Sequence, residues 1–314
     1  MKIRTLLGGI SSHIPGIYKL FSRGTGGTIS ARYCYSVWLR HLVMAYKNGL
    51  SIYPETIAEL GPGDSIGIGL AALLSGVNKY YAFDIIEYAS SKRNIELFNE
   101  LVDLFKKREK IPDETEFLGV RPLLESYKFP SNILTNERLD KTLKQDRIES
   151  IKNALQSLDS RGNNNIQISY LVPWYNSNII EEESIDMIYS QAVLEHVDNL
   201  EYTYKVLCSW LKLGGFMSNE IDFACHGMAK EWNGHWAYSD IVWKLMKGKK
   251  PYLINRQPHS THIDLMRKSG FEIIYDSRIK NTSGIRRKHL ASKFKNISND
   301  DLVISSAFIQ AIKK

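Results

Sequence analysis

The chain has 314 residues, of which 43% are hydrophobic and 24% are charged. This composition is typical of a globular protein with a sizeable core. No apolar run approaches the roughly 18 residues that a membrane-spanning helix needs, which excludes an integral membrane protein. The three cysteines, Cys34, Cys208 and Cys225, form no C-x-x-C pair. We therefore expect neither disulfides nor a thiolate metal site, and we expect a reducing compartment, the cytoplasm.

The net charge of +7 comes from the beginning of the chain. Residues 1–50 contain seven basic residues and no acidic one, and the first acidic residue is Glu55. Within this basic segment, the spacing of Tyr35, Trp38 and Leu42 predicts a helix over residues 31–49. A basic face of this kind suits an anionic partner such as a membrane surface, a phosphorylated substrate or a nucleic acid. The alternative is a solvated basic arm.

From about residue 55 onward the pattern alternates between strands and helices. The predicted strands are residues 55–60, 79–84, 166–171, 184–190, 214–222, 271–277 and 303–312, and the predicted helices between them are 67–77, 88–108, 199–212 and 260–269. Such alternation predicts an α/β fold in which a doubly wound, mostly parallel sheet carries helices on both faces. We expect one domain over residues 51–314.

Residues 109–165 interrupt this alternation. The segment is charged and contains Pro112, Pro122 and Pro130, and its periodicity predicts helix over residues 136–158. A connection of this length is usually a lid, a binding loop or disorder. Because the helical pattern argues against disorder, we expect an inserted helical cap over the carboxyl edge of the sheet.

The strongest functional signal is the sequence Glu59-Leu60-Gly61-Pro62-Gly63-Asp64-Ser65, which follows a predicted strand and precedes a helix. Glycines at such a turn permit positive φ angles and let the backbone approach a ligand, and the helix N-terminus offers N–H groups. Asp84 ends the next strand, where a carboxylate can accept hydrogen bonds from ribose hydroxyls. The turn is neither a G-x-G-x-x-G motif nor a P-loop, because Ile66 occupies the third glycine position and no Gly-Lys-Ser/Thr follows.

A second signal is the predicted strand at 184–190, which continues into Gln191-Ala192-Val193-Leu194-Glu195-His196-Val197. With the glycine turn and the acid after the second strand, this segment resembles the class I S-adenosylmethionine-dependent methyltransferases over roughly residues 55–312, apart from the insertion. The resemblance implies a Rossmann-like sheet of seven strands with an antiparallel last strand. It also implies S-adenosylmethionine as cofactor, bound by Glu59, Gly61, Pro62, Gly63, Asp84, Ile85 and Gln191.

A narrower resemblance links the chain to methyltransferases encoded in bacterial surface-polysaccharide loci. It rests on residues 32–41, on the Gly-Pro-Gly-Asp-Ser turn, and on Trp243 with Asn255-Arg256. It implies a sugar hydroxyl on a glycan or glycolipid precursor as the methyl acceptor. The enzyme would then work in the cytoplasm or peripherally at the inner face of the membrane.

Methyl transfer to a hydroxyl requires alignment of the acceptor and removal of its proton. Candidate groups should follow the fourth and fifth strands, and Asp222 and His226 leave the fifth strand. We expect His226 to be the general base, oriented by Asp222, with His235 as a second candidate. The alternative for His226 is a hydrogen-bonded loop histidine, and we interpret His196 as structural.

Three further residues are candidates for binding the acceptor. Trp232 and Trp236 could pack on a sugar ring, and Arg256 could hold an anionic group, although aromatic and basic residues at such positions are more often core or surface residues. His259 and His262 lie three residues apart, but no third ligand is evident nearby, so no metal is expected.

The alternatives to a glycan methyltransferase are an enzyme acting on nucleic acid or another small molecule, and a catalytically inactive scaffold that binds the cofactor. Nucleic acid is disfavoured because the fourth strand ends in Ser190-Gln191-Ala192-Val193. This differs from the Asn/Asp-Pro-Pro-aromatic segment of base methyltransferases, and no appended RNA-binding module is evident.

Overall fold

The computed structural model describes residues 8–9, 11–12, 27–156, 165–174, 177–250 and 253–314. In chain order these form α1 (Ala31–Lys47), β1 (Thr56–Leu60), α2 (Gly67–Leu74), β2 (Lys79–Phe83), α3 (Ser91–Lys107), α4 (Asn136–Thr142), α5 (Gln145–Gln156), β3 (Gln167–Leu171), β4 (Ile185–Gln191), α6 (Leu200–Trp210), β5 (Leu211–Asp222), α7 (Asp240–Lys247), α8 (His259–Lys268), β6 (Phe271–Lys280) and β7 (Ile304–Lys313). None of the described helices is long and apolar enough to span a membrane.

The strands form a single seven-stranded sheet in the order β3-β2-β1-β4-β5-β7-β6. The first five strands are parallel, whereas β7 pairs antiparallel with both β5 and β6. This confirms the predicted fold. Because β1, β2, β4 and β5 are parallel, the loops after them emerge at the same edge of the sheet, where open α/β sheets bind their ligands.

One hydrophobic core lies on each face of the sheet. On one face, α1, α2, α3 and α5 contribute to a core that includes Trp38, Phe98 and Ile151. On the other face, α6 and α8 contribute to a core that includes Trp210 and Met266. The two central strands are buried throughout or nearly so, as expected for strands covered on both faces.

Helix α1 belongs to the first of these cores. It packs against α2 and α3, and the Trp38 indole N–H donates a 2.8 Å hydrogen bond to Ser75 Oγ. The Ser30 hydroxyl caps the helix by accepting from the Tyr33 N–H. Residue 50 is therefore not a boundary between two cores. The charged residues at 2, 4, 19 and 23 lie outside the described residues.

The helices of residues 109–165 do not cap the carboxyl edge, which corrects that part of the prediction. The Arg138 guanidinium donates to the carbonyls of Ser75 and Ile52, and Arg147 donates to those of Leu73 and Val77. These carbonyls lie at the end of α2 and before β1, at the amino edge of the sheet. Helices α4 and α5 thus belong to the helical layer on the face of the sheet that α1, α2 and α3 cover, since their buried apolar residues pack in the same core.

Candidate active site

A large cavity opens at the carboxyl edge of β1, β2, β4 and β5. Its volume is about 1060 Å³, at the upper end of the range for small-molecule sites. The ends of these four strands bring together residues distant in sequence, including the predicted site residues Gly61, Pro62, Gly63, Asp84, Ile85, Gln191, Asp222 and His226. The cavity is therefore the candidate active site.

The glycine turn forms one wall of this cavity. Gly61 and Gly63 have φ angles of +64° and +73°, values that favour glycine. A Cβ on Gly61 would lie 2.6 Å from Cγ2 of Val193, in the loop after β4. Glycine is therefore required at position 61 both by its backbone conformation and by the close approach of this loop.

Asp84 follows β2 and faces the same cavity. Its Oδ1 accepts a 2.7 Å hydrogen bond from the Ile85 N–H and a 3.4 Å one from the Ile86 N–H. Burial raises the pKa of Asp84 although the backbone N–H groups of Ile85, Ile86 and Gly63 oppose the shift. The turn thus presents a fixed carboxyl group beside the glycine-rich backbone.

Glu59 does not line the cavity, contrary to its expected role as a cofactor contact. Its side chain lies on one face of the sheet, where Oε2 accepts hydrogen bonds from the hydroxyls of Tyr80 and Tyr189. Burial raises the pKa of Glu59 to about 7, and the tyrosine hydrogen bonds only partly offset this effect. The pairing of β1 with β2 and β4 makes Glu59 an internal crosslink between strands.

Gln191 ends β4 and lines the cavity as predicted. Its Oε1 lies 3.3 Å from Nε2 of His41, and its Nε2 donates to the Arg121 carbonyl at 3.3 Å. The other ring nitrogen of His41 lies 2.7 Å from Ser218 Oγ. Burial lowers the pKa of His41 to about 4, so a neutral imidazole from α1 holds Gln191 in place.

Asp222 and His226 also line the cavity and contact one another, as the sequence predicts. His226 Nε2 lies 3.1 Å from Asp222 Oδ2, and about one third of each side chain is exposed. Burial would raise the pKa of Asp222, but the hydrogen bond and the charge of His226 outweigh it and lower the pKa. His226 has a φ of +46°, which is uncommon for a residue with a side chain and is often found at functional sites.

Three more titratable groups surround this pair. His196, which the sequence suggests to be structural, lines the cavity, and its ring centroid lies 5.1 Å from that of His226. Burial and the neighbouring His226 lower the pKa of His196 to about 4. Glu195 and Glu220 are buried, and burial raises the pKa of both carboxyl groups.

The structure places the other candidate residues away from the cavity lining. His235 and Trp236 are each no more than 1% exposed, and burial lowers the pKa of His235 to about 3. Trp232 packs edge-on against Trp236. The Trp236 indole donates a 2.9 Å hydrogen bond to the Arg256 carbonyl. His235 and Trp236 are thus buried, Trp232 is half-buried against them, and none of the three lines the cavity. This corrects the acceptor-contact roles expected for the tryptophans and the catalytic role expected for His235.

Arg256 is likewise structural in its placement. Its guanidinium donates to the Tyr238 carbonyl at 2.8 Å and pairs with Asp240. Its Cζ lies 4.6 Å from the ring centroid of Trp243 and 4.9 Å from that of Phe294. With its donors and its planar face engaged in this way, Arg256 is held within the protein, which corrects its expected role in acceptor binding.

The described basic residues of the N-terminal segment are paired with acids of the inserted segment. Arg32 binds Glu116, Lys47 binds Glu125, and the fully buried Arg40 binds Glu114 at 2.9 Å. These ion pairs hold residues 112–125 over one side of the cavity, where residues 116–120 line it. The part of the insertion that reaches the site is thus this loop.

The cavity also contains aromatic residues that the sequence analysis did not single out. They are Tyr33, Phe83, Tyr88, Phe117, Trp174 and Tyr202. They come from five separate segments, so no local spacing could have grouped them. Together they give the polar site several flat apolar surfaces, which suit planar rings and the apolar faces of sugars.

No family model and no curated protein matches this chain. Solved structures of similar fold include an S-adenosylmethionine-dependent methyltransferase from Mesorhizobium loti, at 13% identity and a TM-score of 0.42, covering 87% of this chain and 98% of that one. Another is phosphoethanolamine N-methyltransferase 2 from Haemonchus contortus in complex with S-adenosyl-L-methionine, at 12% identity and a TM-score of 0.43, covering 90% and 57%.

Proposed function

We propose that the protein is an S-adenosylmethionine-dependent methyltransferase. The observation that carries the proposal is the cavity in which the Gly61–Gly63 turn, the carboxyl group of Asp84 and the Asp222–His226 pair meet. The turn and the acid after the next strand are the elements that bind a nucleoside at the edge of an α/β sheet. A group in the same cavity that can accept a proton suits a transfer reaction better than storage of a ligand.

The residues present fit the cofactor. The cavity of about 1060 Å³ has room for a nucleoside and an acceptor. The backbone of the Gly61–Gly63 turn, which lines the cavity, would contact the methionine part, since glycines let a backbone approach a ligand closely. Asp84 would bind the ribose hydroxyls, Ile85 would pack on the adenine, and Gln191 would contact the methionine part.

The sulfonium of the bound cofactor supplies an activated methyl group, so the protein need only align the acceptor and take its proton. His226 is the exposed imidazole of the cavity, and Asp222 orients it through their 3.1 Å contact. We infer that His226 accepts the proton of an acceptor hydroxyl. Asp222 then stabilises the imidazolium that forms.

For the acceptor, we propose a sugar hydroxyl of a glycan or glycolipid precursor. The aromatic residues in the cavity wall, such as Trp174 and Tyr202, support this proposal because aromatic rings pack on the apolar faces of sugars. The alternatives are another small molecule, a nucleic acid, and an inactive protein that binds the cofactor. Peripheral contact with an anionic membrane also stays a prediction. The described Arg32, Arg40 and Lys47 give it no direct support, because each of them is paired with an acid.

Calorimetric binding of S-adenosylmethionine and S-adenosylhomocysteine tests the cofactor. The wild-type chain should bind both, and Asp84→Asn should weaken binding at least tenfold, a loss of about 1.4 kcal/mol. Asn keeps the size of the side chain and an oxygen for the Ile85 N–H, so the loss reports the carboxylate. Asp103→Asn, at an exposed position on α3, is the control. Absence of binding to the folded wild type would overturn the proposal.

A transfer assay with methyl-labelled cofactor tests the acceptor. Nucleotide sugars, lipid-linked glycans, short RNA and phosphoethanolamine would be offered in parallel, with S-adenosylhomocysteine release as the readout. Label in a sugar ether supports the proposed class. Label only in RNA or in the amine overturns it, and cofactor binding without transfer to any acceptor favours the inactive scaffold.

A further inference from the structure

Glu195, His196 and His226 meet at the wall of the cavity. One carboxylate oxygen of Glu195 and one ring nitrogen of each histidine all lie within 4.8 Å of one another. Among the described residues this is the one cluster of three or more such groups with the spacing of metal ligands. The sequence analysis did not predict this cluster, because His226 lies thirty positions after His196 and thirty-one after Glu195.

The surroundings of the buried Glu195 carboxylate suit the binding of a cation. Its side chain is 2% exposed, and neither carboxylate oxygen has a described partner in full hydrogen-bonding geometry. The backbone N–H groups of Glu195 and Asp222 partly offset the burial of this carboxylate, but a buried carboxylate without a counter-charge is still costly. Glu220 and Asp222 lie close enough to repel its negative charge. A cation at this position would relieve the repulsion and satisfy the unused oxygen atoms.

The surroundings of His226 also suit metal binding. Its ring is oriented by Asp222 through the 3.1 Å contact, the arrangement in which carboxylates support metal-binding imidazoles. His196 and His226 both border the cavity, which gives an ion a route from solvent. Ligands that share an ion at about 2.1 Å lie about 3–4 Å apart, so small side-chain rotations suffice to complete the site.

We propose that Glu195, His196 and His226 bind a divalent first-row transition metal ion. Two imidazoles and one carboxylate favour Mn²⁺, Fe²⁺, Co²⁺, Ni²⁺ or Zn²⁺ over Mg²⁺ and Ca²⁺, which prefer oxygen ligands. Three protein ligands leave at least one position of the ion open toward the cavity, as in metal sites that bind substrate. This site differs from the His259–His262 pair considered in the sequence, whose rings instead contact Asp276 and Tyr204.

The ion would change the role of His226. An imidazole that binds an ion through one nitrogen and donates its other N–H to a carboxylate has no lone pair left to accept a proton. With the ion bound, an acceptor hydroxyl in the open position would release its proton to solvent water more readily, because the ion would stabilise the alkoxide. This last step rests on the proposed function, whereas metal binding itself does not.

The test uses the untagged full-length protein, stripped with EDTA and freed of the chelator. Co²⁺, Mn²⁺ and Zn²⁺ are titrated in turn, and bound metal, thermal unfolding and the Co²⁺ visible spectrum are measured. Wild type should bind one equivalent with a rise in Tm. Glu195→Gln, His196→Asn and His226→Asn should each weaken binding by about tenfold or more. The controls are Glu201→Gln and His289→Asn, at exposed positions away from the cluster.

Each outcome decides the question. Absence of metal binding by folded wild type at millimolar concentrations overturns the proposal, and so does binding that all three ligand variants retain. If Glu195→Gln fails to fold, His226→Asn remains informative, because that side chain is partly exposed. Cofactor binding is measured separately in protein without metal, so failure of the proposed function and failure of the metal site are distinguishable.

Discussion

The Tyr189 hydroxyl on β4 donates a 2.8 Å hydrogen bond to Oε2 of Glu59 on β1, the residue that opens the glycine-rich motif. The Tyr80 hydroxyl on β2 donates to the same oxygen. Three adjacent strands are therefore joined through one buried carboxyl group. The acidic residue that opens the glycine-rich motif therefore links three strands and does not face the cavity.

This burial makes stability depend on pH. The pKa of Glu59 is about 7 in the fold, whereas it is about 4.3 in an unfolded chain. Between these values the native state holds a proton that the unfolded chain has released, so the free energy of unfolding falls as pH rises and stays lowered above pH 7. Glu59→Gln should remove this contribution. Between pH 4 and pH 8 the free energy of unfolding of the variant should therefore rise by about 3 kcal/mol relative to that of the wild type.

Urea unfolding of wild type and Glu59→Gln across this pH range measures the effect. Glu55→Gln, at an exposed position four residues earlier, is the control and should follow the wild-type profile. Parallel profiles for wild type and Glu59→Gln would show that the pKa of Glu59 is the same in the folded and the unfolded chain.

Gly61→Ala should damage the site in two ways. The φ of +64° disfavours any side chain by about 1–2 kcal/mol, and the added Cβ would collide with Val193. The loop after β4 must then move, so we expect cofactor affinity to fall at least tenfold along with a lower Tm. Gly214→Ala is the matched control, since its φ is +77° and no described atom lies within 4 Å of its added Cβ.

The Gly214 variant should lose stability by a similar backbone cost but retain cofactor affinity. Calorimetry and thermal unfolding of both variants separate the two contributions. Adding Val193→Ala to Gly61→Ala should recover part of the affinity because it removes the methyl groups at the collision. Equal affinity losses in the Gly61 and Gly214 variants would show that the turn does not contact the ligand.

The sequence predicted those parts of the molecule that depend on local pattern. Alternating strands and helices predicted the doubly wound, mostly parallel sheet, and the turn at Gly61 with Asp84 after the next strand located the cavity. The contact between Asp222 and His226 was predictable because both residues leave the same strand. Each of these inferences needs only nearby residues and the rule that parallel strands end at one edge.

The sequence could not predict features that depend on long-range packing. The direction of Glu59 follows from the tyrosines of two neighbouring strands. The meeting of Glu195 with His226 follows from loops after different strands. Trp236 and Arg256 suggested an acceptor site by residue type alone, whereas their packing partners place them in a buried cluster.

Arg40→Met should release the loop over the cavity. The Arg40 guanidinium is fully buried, binds Glu114 and donates to the carbonyls of Pro112 and Pro122. Its removal leaves these groups without their partner, at a cost of about 3 kcal/mol. We expect faster hydrogen exchange over residues 112–122. Lys47→Met breaks an exposed pair with Glu125 and should change stability and exchange little, because solvent screens such pairs. Similar exchange in both variants would mean that Arg40 does not hold the loop.

Arg256→Lys tests whether this residue is structural or binds the acceptor. A lysine cannot donate to Tyr238 and Asp240 in the same plane, nor lie flat between Trp243 and Phe294 as the guanidinium does. We therefore expect the variant to lose about 1–3 kcal/mol of stability. Cofactor affinity should be unchanged, because the residue lies outside the cavity lining. Arg267→Lys, at an exposed position of α8, should leave stability unchanged. A variant with wild-type Tm but a raised KM for the acceptor would instead indicate that Arg256 binds the acceptor, as the sequence suggested.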